Sequence, residues 1–543
     1  MSFPAASTPF SVVCSELSFA WEDGTTVLDG LDVAFGTGRT GLIGVNGSGK
    51  STLLRLIAGE VRPAAGTVSV AGEIGYLPQN LPLGTARTVS DLLGITATRE
   101  ALHAIERGEA TEENFAAVGD GWDVEERARA ELDRLGLGAV GLDRTVATLS
   151  GGEAIMTGLA GRLLARPDVL LLDEPTNNLD LDARRRLYGA VESWPGVLIV
   201  VSHDRTLLDL VDEIADLREG GVRSFGGNLT GYEELLAVER EAAERAVRAA
   251  GQDLRRQKRE LEEAHVKLAR RVRYGNKMFE QKREPKIIMQ ERKRQAQVSA
   301  GKHRQMHEDR LADARDRLSE AEEAVRADAE IRIALPATEV PAGRTVLTVS
   351  GLPAGEPAAL EELIVRGPER IALTGPNGAG KTTFLRALLG EGPGEGLRVK
   401  IGVEGVRYLP QRLDVLDDRL SVVDNVREFA PSASAQTVRA GLARFLFRGR
   451  RADQPAGTLS GGERFRAVLA SLLLAEPAPR LLLMDEPTNN LDMASVRRLA
   501  EALEAYRGAL VVVSHDVPFL RTVGITRWLR LDKDAGLSEI EPM

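Results

Sequence analysis

Five short motifs occur twice, in the same order, and this internal duplication constrains the fold of the 543-residue chain more than any other feature. The first set reads GVNGSGKST from Gly44, YLPQ from Tyr76, LSGGE from Leu149, LLLDEPTNNLD from Leu170 and VSHD from Val201. The second reads GPNGAGKTT from Gly375, YLPQ from Tyr408, LSGGE from Leu459, LLMDEPTNNLD from Leu482 and VSHD from Val513. Lys50 and Lys381 are 331 positions apart, but Glu174 and Glu486 only 312, so one copy carries an insertion. Gln79 to Ser150 spans 71 positions against 49 from Gln411 to Ser460, which puts 22 extra residues in the first copy. A small helical arm within residues 85–135 is their expected content.

Two large units and a smaller one fit this length, since single cores stop growing well short of it. With 43% hydrophobic and 28% charged residues, the chain has the apolar content of an ordinary globular protein. Cys14 is the only cysteine, which excludes an intramolecular disulfide and any multi-cysteine zinc or iron–sulfur site. A reducing cytoplasm is the expected compartment. Apolar runs such as VLLL before Asp173 and GVLIVV before Ser202 are far shorter than the ~20 residues needed to cross a bilayer. The start, MSFPAASTPF, has neither the basic stretch nor the apolar core of a secretory signal.

Between the copies the sequence changes character. The expected division is a first unit over 1–232, a helical linker over 233–330 and a second unit over 331–543. Leu254, Leu261 and Leu268, then Leu311, Leu318 and Val325, recur at sevens in strongly charged surroundings. That spacing predicts two helices paired as an antiparallel coiled-coil hairpin, with Gly275, Asn276 and Pro285 as helix-breaking positions near its middle. From Lys267 to Arg304 there are thirteen Lys/Arg and three Glu, a net charge of +10 in a protein whose total is −10. A charge run is often only a solvated helix face. An acidic body with one basic tip is also what attraction to RNA phosphate requires, and Tyr274 and Phe279 could stack on exposed bases. The candidate contacts are Arg270, Arg271, Arg273, Lys277, Lys282, Arg283, Lys286, Arg292, Lys293 and Arg294.

Both GxxxxGK[ST] matches lie between a strand-like run (TGLIGV, RIALTG) and a helix-like one (LLRLIAG, FLRALLG), the context of a phosphate-binding loop. In such a loop backbone N–H groups close around phosphates and the following helix N-terminus adds favourable partial charge. The candidate cradles are Gly44, Asn46, Gly47, Ser48, Gly49, Lys50, Ser51 and Thr52, and Gly375, Asn377, Gly378, Ala379, Gly380, Lys381, Thr382 and Thr383. Lys50 and Lys381 should reach terminal phosphates, with Ser51 and Thr382 as magnesium ligands. Asp173 and Asp485 each follow four apolar residues, where a carboxylate can hold magnesium directly or through water. The next residues, Glu174 and Glu486, are placed to orient and polarise an attacking water. His203 and His515 stand in identical VSHD contexts and read as switches toward a terminal phosphate; a single histidine after a strand would more often be structural.

Together these motifs resemble those of the ATP-binding cassette proteins, over nearly the whole chain outside the linker. The resemblance implies an ATPase using ATP and Mg²⁺, in which two cassettes pack head to tail. Each ATP would lie between one phosphate loop and the other cassette's LSGG turn. Site one would then combine Lys50 and Glu174 with Ser460, Gly461 and Gly462, and site two Lys381 and Glu486 with Ser150, Gly151 and Gly152. Gln79 and Gln411 would join the magnesium shells, and Asp180 and Asp492 would lie at the seam. By the same resemblance each cassette is an α/β domain with a mostly parallel sheet and a helical subdomain.

The tandem arrangement, the DEPTNNLD form in both copies and the charged helical linker further resemble the F-type cassette proteins (ABC-F), which act on ribosomes. That resemblance implies a 70S ribosome partner. The hairpin would approach rRNA and peptidyl-site tRNA, and the role would be to regulate translation or to protect it from antibiotics. Two departures suggest unequal ATP sites. Trp21 is available to stack on adenine in the first cassette, whereas residues 349–370 of the second contain no aromatic. The first LSGGE continues AIMTGLA, with Met156 and Thr157 where the family commonly has a basic residue.

Two rival readings follow from the cassette motifs. A transporter's energising subunit can also carry tandem cassettes, but it has no need of a basic hairpin. A DNA-repair ATPase of the cassette type places its coiled coil inside one ATPase domain, not between two complete ones. The sequence runs 28 residues past His515, so no appended C-terminal coiled coil is expected. A monomer that closes on itself is the expected state, because both half-sites lie in one chain.

Overall fold

The computed structural model describes residues 11–81, 87–218, 221–280, 294, 302, 305–307, 309–322, 336–352, 359–391, 396–411, 414–489 and 491–542. They form two compact units. One comprises Met1–Leu229 with Ile331–Met543, and the other Thr230–Glu330.

The first unit holds both repeats, each built on a six-stranded sheet. In the first repeat the strands are β1 (Val12–Ala20), β2 (Thr26–Phe35), β3 (Gly38–Ile43), β4 (Ala65–Val70), β5 (Ile74–Leu77), β6 (Val169–Asp173), β7 (Val197–Val201), β8 (Glu213–Arg218) and β9 (Gly221–Gly226). The large sheet has the order β5-β6-β7-β3-β8-β9, and only β9 runs antiparallel to its neighbour. A small antiparallel sheet, β2-β1-β4, covers one side. The second repeat repeats this with β10 (Thr345–Ser350), β11 (Glu362–Arg366), β12 (Arg370–Thr374), β13 (Arg398–Ile401), β14 (Val406–Leu409), β15 (Leu481–Asp485), β16 (Ala509–Val513), β17 (Arg527–Asp532) and β18 (Gly536–Ile540). Its orders are β14-β15-β16-β12-β17-β18 and β11-β10-β13.

The composition of the central strands explains the layering. VLLLD, VLIVV, LLLMD and ALVVV are buried at every position, as strands covered on both faces must be. Each buried Val or Leu stabilises by roughly 1.5–3 kcal/mol. Truncating Leu171, which is 0% exposed, to alanine would therefore cost about 2–5 kcal/mol once the cavity is included. The run ends where the polar Asp173 and Asp485 are reached, and both remain buried, at 2% and 1% exposure. In each repeat the sheet thus brings the phosphate loop, the YLPQ glutamine, the DEPTNNLD segment and the VSHD segment to one edge, the carboxyl ends of the parallel strands.

The insertion in the first repeat lies in its helical subdomain. Matching helices are offset by 333 positions at Val89 and Val422 but by 311 at Val124 and Ala435. The extra residues therefore form the helices Thr96–Glu106 and Glu112–Val118. Arg99 ties this arm to the subdomain through Glu125 and Asp143.

The second unit contains one helix of 52 residues, Leu229–Glu280, roughly 78 Å long at 1.5 Å per residue. Helical residues 309–322 pair with it, with Arg317 Nη1 3.5 Å from Asp253 Oδ2. Leu311 and Ala314 are buried, and Leu254, Leu261 and Leu318 half-buried, along the apolar seam. The expected break at Gly275 and Asn276 does not occur, because the helix runs through both. A glycine in a helix costs only about 1 kcal/mol and an asparagine less, which the good helix formers around them offset. Pro285 lies outside the described residues.

Candidate functional site

Each phosphate loop follows the central strand of its sheet and ends in a glycine that heads a helix. Gly49 (φ 98°) and Gly380 (φ 93°) occupy the left-handed region that admits glycine, and lead into the helices Lys50–Ile57 and Lys381–Leu388. Gly44 and Gly375 permit the close approach that shapes the loops. A Cβ at either would lie 2.5 Å from Leu217 O or 2.1 Å from Leu531 O. Lys50 Nζ curls back to donate to Gly44 O (2.8 Å) and Val45 O (3.1 Å), and Lys381 Nζ to Gly375 O (2.7 Å) and Pro376 O (3.0 Å). Burial lowers the pKa of both ammonium groups, opposed by the nearby carboxylates of Glu174 and Glu486. Ser48 Oγ is buried inside its loop without a hydrogen-bond partner among the described residues.

Ser51 Oγ donates to Asp173 Oδ1 at 3.0 Å, which brings a hydroxyl and a carboxylate together as a hard-oxygen pair. Thr382, Gln411 and Asp485 line one common cavity in the second repeat. Gln79 is exposed, two residues beyond β5. The tyrosines of the YLPQ motifs were not singled out from sequence, yet they reach the same aspartates: Tyr408 Oη lies 3.2 Å from Asp485 Oδ2, and Tyr76 Oη 3.5 Å from Asp173 Oδ2.

Immediately after the buried strands the chain turns sharply. Glu174 (φ 47°) and Glu486 (φ 45°) adopt left-handed backbone, a conformation costly for a non-glycine residue and characteristic of functional positions. Their amides donate to Val201 O and Val513 O, both at 2.8 Å, which fixes each turn to the next strand. Burial raises both carboxyl pKa values, Glu486 to about 7, against the lowering pull of nearby cations. His203 Nε2 lies 3.2 Å from Glu174 Oε1, and His515 Nε2 3.3 Å from Glu486 Oε1. These are not ion pairs. Burial depresses the imidazoles to about 4 and about 3, so both rings are neutral. His203 Nδ1 and both ring nitrogens of His515 are buried without a hydrogen-bond partner among the described residues.

The LSGGE turns are helix caps. Ser150 Oγ accepts from Glu153 N (3.2 Å) while Glu153 Oε2 accepts from Ser150 N (2.8 Å), and Ser460 and Glu463 repeat the arrangement. The motif's glutamate is thereby explained as a capping-box partner. The helices Gly151–Ala165 and Gly461–Leu473 begin there, and a helix N-terminus of this kind is suited to an anion. Met156 and Thr157 are buried within the first of these, whereas the corresponding Arg466 donates Nε to Gly462 O at 3.4 Å.

The two repeats meet head to tail at these features. Ser150, Gly151 and Gly152 of the first and Asn377, Gly378, Gly380, Lys381, Thr382 and Thr383 of the second line a cavity of about 540 Å³, which also contains Glu486 and His515. Ala379 lies within the same loop. Asn377 N donates to Asp180 Oδ2 (3.3 Å), and its side-chain amide to Asn178 O (2.6 Å), across the seam. On the opposite side Asn46 N donates to Asp492 Oδ2 at 3.3 Å. Gly462 faces Ser495 Oγ, on the helix that Asp492 caps, so Ser460, Gly461 and Gly462 stand beside that seam. Gly47, Gly49 and Thr52 complete the loop there. Trp21 follows β1, edge-on to Phe19 at 4.9 Å, with the Arg55 guanidinium 5.6 Å from its ring centre.

Of the candidate linker residues, Arg270, Arg273, Lys277 and Arg294 are exposed, and Arg271 and the aromatic Tyr274 and Phe279 lie within the long helix. Lys282, Arg283, Lys286, Arg292 and Lys293 lie outside the described residues. Among those described, no helix is long and apolar enough to cross a membrane.

Comparison with known proteins agrees with this geometry. The family model described as ABC transporter matches residues 28–177 and 362–489. The tylosin resistance ATP-binding protein TlrC of Streptomyces fradiae is 34% identical, over 91% of this chain and 92% of its own. The energy-dependent translational throttle protein EttA of Mycobacterium tuberculosis is 33% identical, over 91% and 87%. Among solved structures, the complex of the archaeal stalk protein aP1 with the ribosome recycling factor aABCE1 superposes with a TM-score of 0.56 at 21% identity, over 97% of this chain and 90% of that one. That last likeness bears on the fold alone. Two nucleotide-binding cassettes, their paired motifs and full-length relatives at one-third identity place the chain in the F-type family of ATP-binding cassette proteins, and it is an ATPase.

Proposed function

We propose that the protein binds ATP at two composite sites and uses closure and hydrolysis to time its engagement with the 70S ribosome in the cytoplasm, regulating translation or protecting it from antibiotics. The observation that carries the catalytic part is the cavity lined jointly by the LSGG turn of one cassette and the phosphate loop, Glu486 and His515 of the other. The relatives named for translational throttling and tylosin resistance support the ribosomal part.

In each site the loop amides and lysine would hold the β- and γ-phosphates, and the buried nitrogens that have no hydrogen-bond partner among the described residues, His203 Nδ1 and both of His515, offer polar groups to the terminal phosphate. The hard-oxygen sets Ser51, Asp173 and Gln79, and Thr382, Asp485 and Gln411, fit Mg²⁺, which when bound offsets charge on the phosphate oxygens. Glu174 and Glu486 orient the attacking water and take its proton as the new P–O bond forms and ADP departs. A base poised near 7, as Glu486 is, balances the fraction ionised against basicity. Arg270, Arg273, Lys277, Arg294 and their basic neighbours are the surface that would meet rRNA and peptidyl-site tRNA, with a single chain closing on itself.

The test is co-sedimentation with 70S ribosomes in ATP, using the Glu174→Gln, Glu486→Gln protein so that the closed state persists. Retention on ribosomes, abolished when Arg270, Arg273 and Lys277 are neutralised, is the expected result. A variant that binds ATP but never ribosomes would refute the ribosomal reading while leaving the ATPase intact. Translation assays with tylosin would then separate drug protection from regulation.

A further inference from the structure

Arg184 lies in the helix Leu181–Glu192, which Asp180 caps at the seam of the first cassette. It is 8% exposed, and its guanidinium spans both cassettes. Nη1 donates to Asp204 Oδ2 of its own cassette at 3.0 Å and to the main-chain oxygen of His515, in the other cassette, at 3.4 Å. Nε donates to Leu179 O at 3.3 Å. Tyr188 Oη donates to the same Asp204 oxygen at 2.7 Å, so the anchor of the guanidinium is itself held. Arg184 also lines the joint cavity together with Lys381, Glu486 and His515.

The duplication supplies the contrast. Aligning the two NNLD segments on Asp180 and Asp492 places Val496 where Arg184 stands. Val496 packs against the apolar core of its own cassette. Thus one composite site receives a buried cation from across the seam, while the matching position of the other cassette carries a valine committed to its own core.

We propose that Arg184 is a positioning residue acting in trans, which makes hydrolysis at site two depend on docking of the first cassette. Parting of the cassettes leaves Arg184 bound to Asp204 but removes it from the His515 main chain and from the neighbourhood of Glu486. Site two then has nothing from the first cassette to fix its switch segment. Site one has no such requirement at this position. This inference rests on the ATPase reading of site two.

The experiment isolates each site. In the Glu174→Gln background, turnover reports site two, and in the Glu486→Gln background it reports site one. Arg184→Gln is expected to lower kcat at site two by about tenfold, the lower end for a missing charge-assisted hydrogen bond, since the bond to His515 O is long. KM for ATP should change by less than about threefold, and Arg184→Lys should restore part of the rate. The same Arg184→Gln change should leave site-one turnover within about twofold, which also shows that the variant is folded. Equal slowing in both backgrounds would overturn the proposal in favour of a general weakening of the seam. An unchanged rate at site two would overturn it outright. If the Glu174→Gln protein with Arg184 intact has no turnover that Glu486→Gln abolishes, the ATPase reading of site two falls first and the inference with it.

Discussion

Asp492 performs two tasks that a single substitution can separate. Its Oδ1 accepts from Ser495 N at 2.8 Å, capping the helix Met493–Ala505, while Oδ2 accepts from Asn46 N of the other cassette at 3.3 Å. Burial pushes its pKa up, but the hydrogen bonds to Ser495 and Asn46 outweigh burial and hold the carboxyl below its ordinary range, so it is ionised at neutral pH. Asp492→Ser retains a good N-cap, since serine and aspartate are nearly equivalent there, but is too short to reach Asn46. The substitution removes one hydrogen bond to a charged group, about 1.5–3 kcal/mol. At 3.3 Å the lower figure applies, and about 1.5 kcal/mol weakens closure roughly tenfold. Asp492→Ala removes the cap as well, and another ~1 kcal/mol of helix stability with it. Fluorescence energy transfer between labels on the two cassettes, titrated with ATP in the Glu174→Gln, Glu486→Gln background, reads the closing equilibrium directly. If Asp492→Ser closes at the wild-type ATP concentration while Asp492→Ala does not, the carboxylate is only a helix cap, and the seam argument fails.

Three further outcomes follow from the same geometry. Turnover at site two, measured in the Glu174→Gln background, should rise with pH as Glu486 ionises around its value of about 7 and level off above it; a rate flat from pH 6 to 8 would remove Glu486 as the base. Gly375→Ala forces a Cβ to 2.1 Å from Leu531 O at φ 142°, so the loop must shift, and affinity for fluorescent ATP should fall at least tenfold while the thermal midpoint moves by only a few degrees. Neutralising exposed Arg270, Arg273 and Lys277 should flatten the salt dependence of ribosome binding by up to about one logarithmic slope unit for each phosphate no longer neutralised; an unchanged slope would mean these side chains only solvate the helix.

Motifs in which chemistry and backbone geometry are local were legible in the sequence. The phosphate loops could be read because glycine spacing, lysine and flanking apolar runs all fall within a few residues. Asp173 and Glu174 could be read because the end of an apolar run marks the end of a covered strand. Arg184 was not legible, because its partner carbonyl is 331 residues away and nothing in LDARRRL distinguishes the first arginine from the two that follow it. Tyr76 and Tyr408 were overlooked for a related reason, since their hydroxyls meet Asp173 and Asp485 only through adjacency of β5 with β6 and of β14 with β15. At Gly275 and Asn276 local propensity misled, because a cost near 1 kcal/mol is small against a long, otherwise favourable helix.

The Ser150 cap explains why its motif uses serine although four residue types cap helices well. A capping oxygen needs only a lone pair, and at Ser150 the lone pair is committed to Glu153 N. The cap does not need the hydroxyl hydrogen, which can rotate toward an incoming anion. Aspartate would cap equally well yet present a second negative charge to that anion, and asparagine would present a bulkier amide with a different reach. One small hydroxyl can thus terminate a helix and donate to a ligand at the same moment. A Ser150→Asp protein should therefore melt like the parent while binding ATP more weakly at site two, and a site-two affinity equal to that of the parent would refute the reasoning.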